Sequence, residues 1–170
     1  MVDARSAALP EPRYAAKIAT RADALARIAA LPRPLVMTNG VFDVLHVGHV
    51  TYLEQARGLG AALVVAVNAD DSVRRLAKGP DRPLNALADR MAVLAGLAAV
   101  DLVVPFNDDT PRELIVAARP DVLVKGGDYT AATTAGAPEV IAGGGRFVAI
   151  PFRHARSTSA LVERIRAGAG

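Results

Sequence analysis

Met37-Thr-Asn-Gly-Val-Phe-Asp-Val-Leu-His-Val-Gly-His49 follows a short apolar run, Leu35-Val36-Met37, and leads into Val47, Val50, Leu53, Ala56 and Leu59 at helical spacing. Asn39-Gly40 breaks the strand before the helix begins at about Val47. A strand turning straight into a helix aims several backbone N–H groups and the positive end of the helix dipole at one point, which suits a phosphate. His46 and His49 lie three residues apart, on the same side of that first turn. Gly48 between them leaves room for a ligand against the backbone, and Asp43 adds a carboxylate just ahead. The stretch reads as a polyphosphate cradle.

Paired histidines could also be half of a metal site. With three histidines in the chain and no cysteine, carboxylates would have to complete it, so no metal ligands are assigned. Composition narrows the rest. A chain of 170 residues suffices for one domain with a core, and 52% hydrophobic against 4% aromatic residues means a core of Ala, Val and Leu. The longest apolar runs, such as 61–67, are too short to span a bilayer, and the N-terminus lacks a secretory pattern. A cytoplasmic protein without membrane partners is expected. Net charge is +3, which favours anionic partners. The basic residues form no long run and no aromatic-rich strand accompanies them, so a small polyanion is expected rather than nucleic acid.

Along the chain, residues 1–12 read as a loose arm and 14–31 as a helix ended by Pro32 and Pro34. Strands are expected at 61–67, 101–106, 121–125 and 146–150, besides the one ending at Met37. Helices alternate with them: to Leu76, capped by Asp70 or Asp71; 84–97; one capped by Thr110 with Pro111 at its first position; 137–143; and 157–166. This alternation predicts an α/β fold with a mainly parallel five-stranded sheet and helices on both faces. Residues 1–33 are expected as an arm and helix, and 34–170 as the domain. Ligands of such sheets bind at the strands' carboxyl ends, near the point where strand order reverses. Loops 38–49, 68–71, 125–128 and 151–159 sit there. No Walker-type phosphate loop is present.

Three further segments could carry chemistry. Lys78-Gly-Pro-Asp-Arg-Pro83 is either a solvated loop or a mobile segment whose Lys78 and Arg82 close on a triphosphate; Arg90 follows on the next helix, where by itself it reads as an exposed helix residue. In Val124-Lys-Gly-Gly-Asp-Tyr129, the glycines let a ligand lie against the backbone, Lys125 suits phosphate and Asp128 suits ribose or base. Ser157-Thr158-Ser159 opens the last helix, where a hydroxyl caps the helix or grips phosphate.

Thr38-Asn-Gly-Val-Phe-Asp-Val-Leu-His-Val-Gly-His49 resembles the His-x-Gly-His signature of the nucleotidyltransferase superfamily. The Lys-Gly-Gly-Asp-Tyr segment at 125–129 resembles that of the heptose 1-phosphate adenylyltransferases, and the likeness runs through residues 34–166. It implies a Rossmann-like nucleotidyltransferase fold and transfer of AMP from ATP to a sugar 1-phosphate, D-glycero-D-manno-heptose 1-phosphate, giving ADP-heptose and pyrophosphate, with Mg²⁺. It also implies roles: His46, His49, Lys78 and Lys125 in catalysis; Thr38, Asn39, Gly40, Phe42, Gly48, Arg82, Arg90, Gly126, Asp128, Ser157, Thr158 and Ser159 around the nucleotide; and Asn39, Asp43, Lys78 and Lys125 toward the sugar phosphate. Relatives often place an arginine after the Ser-Thr pair, where this chain has Ala160-Leu-Val, and commonly a cysteine at Val41. The stand-alone form of a domain elsewhere fused to a sugar kinase is expected, as is a homo-oligomer. A cytidylyltransferase acting on glycerol 3-phosphate, or a non-catalytic nucleotide-binding module, are the alternatives.

Overall fold

The computed structural model describes residues 9–76, 81–151 and 158–168. Five strands, β1 (Leu35–Gly40), β2 (Ala62–Asn68), β3 (Leu102–Phe106), β4 (Val122–Gly126) and β5 (Arg146–Ile150), form one sheet in the order β3-β2-β1-β4-β5. All four pairings are parallel. The helices are α1 (Ala24–Ala29), α2 (Val47–Arg57), α3 (Asp70–Arg75), α4 (Leu87–Ala95), α5 (Arg112–Ala118), α6 (Ala137–Ala142) and α7 (Thr158–Arg166).

Alternation along each strand divides the core in two. Val36, Leu63, Val65, Val67, Val103 and Val124 pack on one face with Tyr52, Leu53 and Ala56 of α2 and Met91, Leu94 and Ala95 of α4. Leu35, Met37, Val64, Ala66, Val104 and Leu123 face the other side, against Ala24 and Ile28 of α1, Ile115 of α5 and Val140 of α6. Both faces are covered, which explains why every residue of β2 is buried and why its sequence is a near-continuous apolar run. At about 25 cal/mol per Å² of apolar area, such burial is the main term favouring the fold.

Several boundaries differ from expectation. The helix expected over 14–31 is broken into a 3-10 turn at Arg13–Lys17 and the short α1. Between them Ile18 makes a parallel bridge to Val103, and the Ala19 N–H donates to the Val103 carbonyl at 2.9 Å. Edge strand β3 thus gains a backbone partner, and Thr20 then hydrogen-bonds Asp23 at 2.8 Å to turn the chain into α1. Helix α3 is capped by Ala69 in extended conformation, with Asp70 and Asp71 inside its first turn. Helix α5 has Pro111 at its N-cap, so Thr110 stands outside it. Helix α4 starts at Leu87, because the N–H groups of Leu84 and Asn85 are taken by Asp43.

The chain runs β1→β2→β3 toward one edge and then places β4 and β5 on the other side of β1. Strand order therefore reverses between β1 and β4, and their carboxyl ends frame a crevice.

Candidate active site

A cavity of about 710 Å³ opens at that crevice. Asn39 and Gly40 reach it from the end of β1, and Lys125 and Gly126 from the end of β4. Lys125 Nζ donates to the Asn39 carbonyl at 3.2 Å, bridging the switch point, and lies 5.4 Å from the centre of the Tyr129 ring. His46 and His49 line the same cavity.

His46 is the N-cap of α2, in extended conformation, and its side chain makes no cap bond. The helix thereby presents an uncapped N-terminus between two imidazoles that face the cavity. The rings stack at 3.9 Å between centroids, and Phe42 meets His49 edge-on at 5.3 Å. Gly40 leaves room for that arrangement, since a Cβ there would stand 2.9 Å from the Phe42 ring. Phe42 itself adopts φ +50°, a left-handed conformation costing about 1–2 kcal/mol in a residue other than glycine. Such a cost persists only where the surroundings over-determine the backbone. Asn39 Oδ1, His46 Nδ1 and His49 Nδ1 are buried without a partner among the described residues. Leaving three such atoms unpaired at one wall is costly, and a ligand rich in polar oxygens and hydroxyls would satisfy them.

Burial pushes the His46 imidazole below its ordinary value. Burial, and then the neighbouring His46, push His49 down to about 4. Both rings are therefore neutral in the free protein at pH 7. Between about pH 6.5 and 4 the unfolded chain takes up a proton at His49 that the native state refuses, so stability falls as pH falls through that window and is level above it. Urea midpoints at pH 7 and pH 5 are expected to show this loss, with a smaller loss in His49→Asn.

Not all residues expected at the ligand are there. Thr38 is fully buried, its hydroxyl 2.5 Å from the Tyr52 hydroxyl, and Gly48 is buried in the first turn of α2; neither lines the cavity. Asp128 lies next to the cavity wall without joining it, after Gly127 at φ +103°. Arg90 sits beneath the site with its guanidinium fully buried, donating to the carbonyls of Asn85 (3.0 Å), Val41 (2.7 Å) and Asn68 (2.8 Å) and to Asp70 (2.7 Å). Arg82 does line the cavity and pairs with Asp43 at 2.6 Å. Asp43 is buried, and its carboxylate is spent on Arg82 and on the Leu84 and Asn85 N–H groups. Burial raises that carboxyl, but the Asn85 and Leu84 amides and Arg82 outweigh it and hold it below the usual carboxylate value. Lys78 and Ser157 lie outside the described residues, and Thr158 and Ser159 begin α7.

Residues to which the sequence assigned no individual ligand role also reach the cavity. Tyr52 and Asn68 line the cavity, as do Asp109, Thr110 and Pro111 after β3, and Thr133 to Ala135 after β4. The hydroxyls of Thr130 and Thr133 close a turn at 3.0 Å just before the lining residues Thr133 to Ala135.

A D-beta-D-heptose 1-phosphate adenylyltransferase from Bordetella bronchiseptica is 60% identical over 158 residues, which is 92% of this chain and 98% of that protein. The bifunctional protein HldE of Haemophilus influenzae is 55% identical over 85% of this chain, which spans 30% of that protein's length. A crystal structure of a lipopolysaccharide core biosynthesis protein from Thermoplasma volcanium superposes with a TM-score of 0.59 at 27% identity, covering 72% of this chain and 98% of that one. Pantothenate synthetase from Thermus thermophilus, 18% identical with a TM-score of 0.55, shares the fold. The cytidylyltransferase-like family profile matches residues 37–165, a span that runs from the strand before the paired histidines into α7. The chain belongs to the cytidylyltransferase-like family.

Proposed function

We propose that this nucleotidyltransferase moves AMP from ATP to D-glycero-β-D-manno-heptose 1-phosphate, giving ADP-heptose and pyrophosphate for surface-glycan synthesis. One observation carries the reading: the chain matches the heptose 1-phosphate adenylyltransferase of Bordetella bronchiseptica at 60% identity over 98% of that protein, and places its twin histidines on the cavity wall. The β anomer is taken from that relative's name.

In this reading the phosphate oxygen of the sugar attacks the α-phosphorus of ATP in line. A new P–O bond forms as the bond to the pyrophosphate oxygen breaks, and pyrophosphate leaves with that electron pair. A phosphate monoester is ionised at pH 7, so no general base is needed, and catalysis rests on positioning and charge stabilisation. His46 and His49 would donate to oxygens gaining charge, assisted by the uncapped first turn of α2. Lys125 and Arg82 would offset the negative charge brought by ATP, and Asn39 would orient the sugar phosphate.

The donor set does not fit a resident metal. Among the described residues no group of three or more His, Cys, Asp or Glu side chains comes together, and the two carboxylates on the cavity wall, Asp43 and Asp109, are each engaged by an arginine. Mg²⁺ is proposed only as the counter-ion ATP carries in, part of the substrate.

Pyrophosphate release tests the assignment. ATP or CTP would be paired with each anomer of heptose 1-phosphate and with glycerol 3-phosphate. Rapid release is expected with ATP and the β anomer. Release confined to CTP would overturn the nucleotide assignment, and release with glycerol 3-phosphate alone would overturn the acceptor.

A further inference from the structure

We infer that Asp43 and Arg90 are positioning residues that gear the phosphate cradle to the 82–85 segment, so that His49 and Arg82 face the cavity in a fixed relation. The inference rests on the reading of this cavity as the seat of ATP. It reassigns two charged side chains that the sequence placed at the ligand.

The hydrogen-bond inventory of Asp43 is full. Its Oδ1 accepts from the Leu84 N–H at 2.8 Å and the Asn85 N–H at 2.9 Å; its Oδ2 accepts from Arg82 at 2.6 Å and from Leu84 at 3.0 Å. The Asn85 side-chain amide returns a bond to the Asp43 carbonyl. A carboxylate offers about four lone-pair sites, so none is left for a sugar hydroxyl. Its side chain is also 4% exposed and its charge is offset by Arg82, so although Asp43 borders the cavity, its carboxylate is held by the 82–85 segment. Arg82 spends Nη1 on Asp43 and itself lines the cavity.

Arg90 closes the device from below. It grips Asn85 by the carbonyl while Asp43 grips the same residue by the N–H. It also holds the carbonyls of Val41 and Asn68, the exits of β1 and β2. Val41 and Asp43 flank Phe42, so the left-handed residue is clamped on both sides: by Arg90 through Val41, and by the 82–85 segment through Asp43. The Phe42 ring in turn abuts His49. Two arginines and one aspartate thus link the backbone strain at Phe42, the imidazole at His49 and the guanidinium of Arg82. Losing the link lets donors on both sides of the cavity drift, and a misplacement of about 1 Å costs roughly 100-fold in rate.

A double-mutant cycle separates positioning from direct contact. Asp43→Asn, Arg82→Gln and the double variant would be compared in three measurements: kcat for pyrophosphate release, affinity for ATP by calorimetry without acceptor, and amide exchange at Leu84 and Asn85. Asp43→Asn is expected to lower kcat by about 10–100-fold, and to speed exchange at both amides. The double variant should be no more than about threefold worse than the poorer single, because the two residues act as one unit. Asn85→Ala, at an exposed position outside the cavity wall, guards against misfolding of Asp43→Asn and should lower kcat by about 3–10-fold with the same non-additivity toward Arg82→Gln. Independent, multiplying losses would overturn the inference, as would an unchanged kcat and ATP affinity in Asn85→Ala. Wild-type protein that binds ATP but never releases pyrophosphate would overturn the proposed function instead, and the cycle read in ATP affinity would still decide this one.

Discussion

Alanine at His46 or at His49 is expected to lower kcat for pyrophosphate release by about 100–1000-fold, the usual consequence of removing one preorganised donor to developing negative charge. The fold should survive. His46 is only half-buried and sits at the N-cap of α2 without making a cap bond, so its loss removes no hydrogen bond from the native state. His49→Ala gives up its edge-on contact with Phe42, a geometry worth about 0.5–1.5 kcal/mol, and should lower Tm by a few degrees in a domain this size. The double variant should fall far short of the product of the two losses, because rings stacked at 3.9 Å act on one group of oxygens and fail together. That stacking also explains why both must start neutral. Two imidazolium ions in such contact would repel, and burial already disfavours the charge on each. Arriving triphosphate changes the balance, since nearby negative charge raises a histidine pKa. The pair is thus held ready to donate hydrogen bonds, and can accept positive charge when the substrate brings the opposite sign. A variant retaining most of the wild-type rate with normal melting would remove the histidines from the chemistry.

Why the sequence disclosed the cradle so fully, and the rest less so, follows from what each feature depends on. The strand–turn–helix of 35–57 is local: an apolar run, Asn39-Gly40, then helical spacing, and the structure follows it. A strand buried on both faces, as β2 is, advertises itself as an unbroken apolar run, and the half-exposed edge strand β5 still begins and ends at the expected residues, 146 and 150. Segment 14–31 deceived because Ile18, Ala22, Leu25 and Ile28 carry helical spacing, whereas the position of Ile18 is set by Val103, far along the chain. Local pattern cannot report an edge strand's need for a partner. Charged residues misled in a different way. Asp43, Arg82 and Arg90 were all legible as important near phosphate, but their polarity does not say whether they face ligand or one another. Only the fold shows that Arg90 is entirely beneath the site and that Asp43 is already saturated. Thr133 to Ala135 reach the cavity through topology alone, by following β4 on the far side of the switch point.

Lys125→Gln is expected to cost about 100-fold in kcat/KM, a loss that added Mg²⁺ does not restore. The magnitude follows from opposing terms. A unit charge about 4 Å from another at an effective dielectric near 20 is worth about 4 kcal/mol, or roughly 1000-fold; desolvation of the ammonium takes back part of it. Geometry makes the residue hard to replace. Lys125 ends β4, opposite Asn39 at the end of β1, and its ammonium hydrogen-bonds the Asn39 carbonyl while lying near the Tyr129 ring. It joins the two halves of the crevice and supplies charge to it. The two roles separate experimentally. Glutamine can still donate a hydrogen bond toward Asn39 but carries no charge, so a purely structural lysine would leave Lys125→Gln within about threefold of wild type, the scale of a single neutral hydrogen bond. An electrostatic one loses most of its effect, and should lose progressively less as ionic strength rises and the wild-type advantage is screened. Steady-state kinetics at two salt concentrations therefore read the charge itself. A large loss that shrinks with salt places positive charge on the reaction coordinate; a loss within about threefold, indifferent to salt, would mean that the lysine only holds Asn39.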